Sequence, residues 1–115
     1  MVVGHIKELE GIKLEGENLA GVIKKVLISP QNGWEGWVMR VFEIEPGGYT
    51  PKHIHNWPHI NWIIEGKGTL LLDDKLNKIE GGSFAYVPNN VPHQFKNEGD
   101  NKLSFICIVP LEGEV

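Results

Sequence analysis

The 115-residue chain holds one cysteine, Cys107, so no intramolecular disulfide can form and a disulfide scaffold is excluded. It holds one arginine, Arg40, against ten lysines, and basic residues do not cluster beyond Lys24-Lys25. With a formal net charge of −4, that scatter argues against nucleic acid as a partner. No apolar run approaches the roughly 18 residues that span a bilayer. The first residues, Met1-Val2-Val3-Gly4-His5, lack the charged-then-apolar profile of a signal peptide, and no Asn-x-Ser/Thr acceptor occurs. The expectation is a cytoplasmic protein with no membrane partner. Helical periodicity is equally scarce, since no window of eleven or more residues keeps an apolar i, i+3, i+4, i+7 pattern free of Gly and Pro.

Glycine (14) and proline (7), by contrast, are plentiful, and so is histidine, at five residues. The Gly and Pro residues, with Asn and Asp, punctuate short β-rich runs, the pattern of an all-β barrel or sandwich. Strands are predicted at 2–7, 11–15, 21–28, 36–45, 49–55, 59–65, 67–73, 76–80, 83–87, 92–97 and 102–110. Turns fall at Pro46-Gly47-Gly48, Trp57-Pro58, Asp73-Asp74, Gly81-Gly82 and Pro88-Asn89-Asn90, among others. Residues 1–115 read as one domain, without repeats or linkers.

Strand residues alternate faces, so parity predicts what points inward. In 102–110 the odd positions Leu103, Phe105, Cys107 and Val109 are all apolar and are the better interior face. In 36–45, Arg40 shares a face with Val38, Phe42 and Ile44. An interior Arg40 would need a partner; the opposite assignment turns Trp37, Met39 and Val41 inward and leaves it exposed. Strand 59–65 is bulky on both faces, with His59, Asn61 and Ile63 on one and Ile60, Trp62 and Ile64 on the other. A strand apolar on both sides needs two covers, and a second subunit could supply one.

Four histidines fall at His53, His55, His59 and His93. Placed at i and i+2 of a strand, His53 and His55 would share a face about 7 Å apart, suited to one metal. His-x-His alone is equally compatible with surface histidines. His59 follows a turn, and His93 begins another predicted strand. His5, remote from these, reads as a surface residue. Asp73-Asp74 reads as a hairpin turn and not as a carboxylate pair for acid–base work.

The run Gly47-(x5)-His53-x-His55-(x3)-His59-(x6)-Gly66 resembles the first motif of the cupins, G(x5)HxH(x3,4)E(x6)G. Gly82-(x5)-Pro88-x-Asn90-(x2)-His93-(x3)-Asn97 resembles the second, G(x5)PxG(x2)H(x3)N. Motifs 47–66 and 82–97 stand in order with every spacing matched. The resemblance implies a double-stranded β-helix, the jelly-roll barrel, with one metal inside and commonly assembled as a homodimer. His53, His55 and His93 match the three histidine ligands. His59 stands where the family usually has Glu, and Asn90 replaces a Gly. The four-histidine set, with Val38-Met39-Arg40 and Glu45-Pro46-Gly47-Gly48, resembles a subgroup of small manganese-containing cupins.

An imidazole in place of a carboxylate leaves a divalent metal its full +2 charge, which favours anionic ligands. Manganese is the first expectation for the metal, with Fe, Ni, Cu, Co or Zn as alternatives; a tetrahedral zinc with four nitrogens would close the site as a structural one. Phe105, Cys107, Trp57 and Phe95 are expected to line the pocket, with Arg40 as the catalytic anchor that orients a small-molecule substrate. Cys107 reads as a small buried apolar residue or as a redox-sensitive thiol. The tryptophans read as core, rim or dimer contacts. The expected activity is that of a metal-dependent oxidoreductase or dioxygenase acting on a small oxygenated organic molecule. A non-catalytic metal- or ligand-binding module, or a decarboxylase or isomerase, is the alternative. A metal-free sugar-epimerase type fits poorly, since no inward Asp accompanies the histidines.

Overall fold

The computed structural model describes residues 1–114. Its strands are β1 (Ile12–Leu14), β2 (Ala20–Ile28), β3 (Trp37–Tyr49), β4 (His59–Glu65), β5 (Lys67–Leu72), β6 (Lys75–Glu80), β7 (Phe84–Val87), β8 (His93–Asn97) and β9 (Leu103–Pro110). Among the described residues there is no α-helix, only three 3-10 turns at Ile6–Glu8, Pro30–Asn32 and Leu111–Gly113. No helix is long and apolar enough to cross a membrane. All strand pairs are antiparallel, in the order β6-β5-β8-β3-β9-β4-β7, with β2 on β3 and β1 on β2. The sheet curls into the expected jelly-roll barrel, with the core inside.

The parity argument holds along β9: Leu103, Phe105, Cys107 and Val109 are all buried and join Val22, Ile44, Ile63, Leu70, Ile79 and Phe95 in one cluster. Arg40 is buried with Val38 and Ile44 on the inward face of β3. In β4 the odd residues His59, Asn61 and Ile63 are buried, whereas Ile60, Trp62 and Ile64 are exposed. Asn97, the last residue of the second motif, is structural. Its side-chain amide donates to the carbonyls of Ile44 and Asn101 (both 2.8 Å), and its oxygen accepts from Gly99 N–H at 2.9 Å. Asp73 and Asn90 take left-handed backbone angles (φ 56° and 59°), a region that Asn and Asp enter more readily than other side chains.

Two predicted strands need correction. Residues 2–7 form no strand; they are mostly exposed and pair with no other segment, and the chain makes only the 3-10 turn at Ile6–Glu8, capped by His5. The predicted strand 49–55, with its turn at Pro46-Gly47-Gly48, is also absent. There β3 continues to Tyr49 instead, and the Pro-Gly-Gly segment is a bulge inside it. Ile44 pairs with Val22 and Tyr49 with Ala20, so β3 spends extra residues that β2 does not match. Gly47, at φ +80°, supplies the left-handed residue that such a bulge uses. Residues 50–58 then leave the sheet, apart from a bridge between His53 and His93.

Candidate metal centre

Three elements bring the four histidines together. β4 contributes His59, β8 contributes His93, and the 50–58 loop contributes His53 and His55. The loop is tied to the barrel by its backbone. His53 N–H donates to the His93 carbonyl and His93 N–H to that of His53 (both 2.9 Å), while Asn90 N–H donates to the His55 carbonyl at 2.8 Å. These bonds replace the strand expected around His53 and His55, whose rings still converge, with centroids 5.6 Å apart.

One ring nitrogen each of His53, His55 and His93 lies within 4.8 Å of the other two, close enough to hold a metal ion. His59 falls outside that mutual circle, yet its Nε2 is 3.2 Å from Nε2 of His93. His93 neighbours all three other rings, its centroid 5.9 Å from His53, 4.7 Å from His55 and 4.9 Å from His59, and so does His55, at 5.6 Å from His53 and 5.7 Å from His59.

Hydrogen bonds at the opposite ring nitrogens set the tautomers. His93 Nδ1–H donates to the Val91 carbonyl (2.9 Å) and His55 Nδ1–H to the Trp57 carbonyl (3.3 Å). His59 Nδ1 meets Asn61 Oδ1 at 2.7 Å. Because the Asn61 amide nitrogen already donates to the Ile106 carbonyl (3.2 Å), the oxygen faces His59 and must accept. All three rings therefore carry their proton on Nδ1 and keep the Nε2 lone pair free, as metal-bound histidines do.

Burial, which strips water from a charged imidazolium, lowers the pKa of all four rings below the ordinary histidine value. The effect is largest at His59, taken down to about 3 by burial first and by the charge of His93 second, with its bond to Asn61 opposing. The rings are thus neutral at pH 7. Two lone pairs then face each other across 3.2 Å with no proton between them, an arrangement that a shared cation relieves. Cis ligands at roughly 2.1 Å from a metal stand about 3 Å apart, so the spacing fits.

A linked pH dependence follows. A folded-state pKa of about 3 against 6.5 unfolded means that the unfolded chain binds more protons between these values, so stability falls as pH drops through that window. For metal-free protein we expect His59 alone to remove roughly 1–2 kcal/mol between pH 6.5 and 5, read from urea midpoints, and His59→Gln to abolish that share and leave the part due to the other three histidines. An unchanged midpoint would refute the neutral buried assignment.

His53, His55 and His59 open onto a cavity of about 330 Å³, lined by Phe42, Phe95 and Phe105 along with Trp57, Asn61, Cys107, Arg40 and Lys24. Phe105 stacks on Phe95 at 4.1 Å and on Phe42 at 5.6 Å. Trp57 stacks on His55 at 4.5 Å and 11°. Arg40 Nη2 donates to Cys107 Sγ at 3.1 Å, and its guanidinium sits 4.9 Å from the Phe42 ring centre. Burial raises the Cys107 pKa, outweighing the opposing pull of Arg40, so the thiol is a neutral part of the wall. Every pocket residue expected from the sequence lines this one cavity.

Asn61, Lys24 and Glu114 were missed as site residues. Asn61 shares the His59 face by parity, a legible signal. Lys24, at the inward parity of Val22, is a weaker one. Glu114 reaches Lys24 Nζ and Arg40 only through tertiary folding.

The cupin-domain family profile matches residues 40–109, more than half of the chain, and the chain belongs to the cupin family. It is 31% identical over 91 residues to 1-methylthio-D-xylulose 5-phosphate methylsulfurylase of Rhodospirillum rubrum, covering 79% of this chain and 57% of that protein's length. Its fold matches the polyketide cyclase RemF of Streptomyces resistomycificus with a TM-score of 0.88 at 25% identity, over 96% of this chain and 79% of that one. A predicted oxalate decarboxylase of Thermotoga maritima matches at 0.85 and 21% identity, over 96% and 99% of the two chains; at that identity the likeness is one of fold alone.

Proposed function

We propose that the protein is a metal-dependent cupin enzyme that performs oxidative chemistry on a small oxygenated organic molecule, with His53, His55, His59 and His93 as ligands and manganese as the metal. The observation that carries this reading is the pair of Nε2 lone pairs 3.2 Å apart, each ring fixed through its Nδ1 by an oxygen acceptor. A divalent metal there would supply Lewis acidity and positions for exogenous ligands. Asn61 and the carbonyls of Val91 and Trp57 orient the imidazoles; Phe42, Phe95 and Phe105 exclude water; Arg40 presents its charge to the substrate. No Asp or Glu is among the described lining residues, and Glu114 at the wall is held by Lys24 and Arg40, so no unengaged carboxylate base faces the histidines, which ranks oxidative chemistry above isomerase chemistry. Substitution of the usual Glu by His59 supports the four-histidine manganese type.

Elemental analysis of protein expressed with ample Mn and Fe tests the centre, with turnover of small organic acids and diketones testing the enzyme. About one transition-metal ion per chain is expected. Metal-free protein would refute the reading; a closed tetrahedral zinc would refute its catalytic half, and bound metal without turnover would favour the binding-module alternative.

We also propose a homodimer through the outer face of β4, β7 and β9. There Ile60, Trp62, Phe84 and Tyr86 are at least half exposed, and the register places Ile60 beside Tyr86 and Ile108, and Trp62 beside Phe84 and Ile106. A contiguous apolar ladder of this kind fits a second copy. Light scattering is expected to give twice the chain mass for wild type and the single mass for Trp62→Lys; a monomeric wild type at micromolar concentration would refute the dimer.

A further inference from the structure

Two buried cations share one wall of the cavity. Val26 pairs with Arg40 and Lys24 with Phe42 across β2 and β3, so Lys24 and Arg40 are diagonal neighbours on the inward face. Each residue is 8% exposed, and both line the cavity. A single carboxylate serves them. Glu114 Oε2 lies 2.8 Å from Lys24 Nζ, and Oε1 lies 3.1 Å from Arg40 Nη1. Arg40 Nη1 also donates to the Gly113 carbonyl at 3.4 Å, while its Nε–H is buried with no partner among the described residues. Neither cation has another ion-pair partner among the described residues. Among the described residues, two positive charges therefore share one negative charge at the wall of a cavity whose histidines are neutral, and burying an unmatched cation is unfavourable.

Glu114 is not a barrel residue. It follows the 3-10 turn Leu111–Gly113 beyond β9, and its side chain is 21% exposed, more than the cations it meets. Gly113 of the same turn packs against Trp57, since a Cβ there would stand 2.7 Å from the indole Nε1. The segment thus reaches the cavity wall from outside the sheet.

We infer that Lys24 and Arg40 form a carboxylate-binding subsite, and that Glu114 is an internal occupant which a substrate's carboxylate displaces. The template is the contact itself: one oxygen on each cation, a span that a second carboxylate reproduces. An apolar acid would then set its body against Phe42, Phe95 and Phe105. This names a substrate class for the centre proposed above and rests on that reading only for the chemistry next door.

The test is calorimetric titration of benzoate, with neutral benzamide as control, into protein as purified and after chelator treatment. Glu114→Gln keeps the shape of the side chain and removes the competing charge. It is expected to tighten benzoate binding about tenfold and to leave benzamide unchanged, as removing the competing charge frees both cations for the ligand carboxylate. Lys24→Met on that background is expected to reverse the gain. Glu114→Ala, with the same expected gain, serves if Glu114→Gln fails to fold. Unchanged or weaker benzoate binding overturns the inference, as does an equal gain for benzamide. A gain that vanishes with chelation also overturns it, because the anion would then sit at the metal centre. Absence of metal from the purified protein would sink the metal reading while leaving the benzoate gain intact.

Discussion

Protein carrying His93→Ala is expected to retain roughly a tenth or less of the wild-type metal content, since loss of an outer hydrogen-bond partner alone costs roughly 10–100-fold in affinity. His93 is buried, its ring neighbours those of all three other histidines, and its backbone holds the 50–58 loop through two bonds to His53. Removing the ring deletes a proposed ligand while leaving those backbone bonds available. Elemental analysis of the two proteins, purified in parallel, measures the difference. Asn61→Ala is expected to weaken binding through His59, whose tautomer it holds, while His5→Ala on the surface should change nothing. Retention of wild-type metal by His93→Ala would place the centre elsewhere.

The largest loss of stability is expected from Phe105→Ala, about 3–5 kcal/mol by urea denaturation. Phe105 is 2% exposed, lies between Phe95 and Phe42, and sits on the central strand β9, which pairs with both β3 and β4. Truncation leaves a cavity that strands hydrogen-bonded on both sides cannot collapse into. Against a total of about 5–15 kcal/mol for an ordinary domain, that loss is a large fraction. A change below about 1 kcal/mol would mean that the stack is not part of the core.

What was legible in the chain depended on whether local covalent geometry decided it. Alternation along a strand is a property of the extended backbone, so the inward face of β9 could be read directly, whereas Arg40 had two possible faces and only the fold buried it beside Val38 and Ile44. The turn residues were equally readable, because Asn90 and Asp73 adopt backbone angles that few other side chains tolerate. The reading broke where a local signal had two tertiary outcomes. Pro46-Gly47-Gly48 suits a chain-reversing turn or a bulge, and only the pairing of β2 with β3 selects the bulge. Residues 2–7 carry β-branched residues, but a strand needs a partner edge, and none meets them.

By itself, the sequence determined the all-β class, the inward parity of β9 and the four histidines at cupin spacing. These follow from periodicity and from fixed intervals along a chain whose strands have fixed rise. Tertiary structure alone decided that His59 and His93, far apart in the chain, face one another at 3.2 Å, and that Asn61 fixes the ring of His59. It also decided that one carboxylate, from beyond the last strand, bridges Lys24 and Arg40. Such contacts arise from closure of the barrel, which brings distant segments together at distances that no interval along the chain encodes.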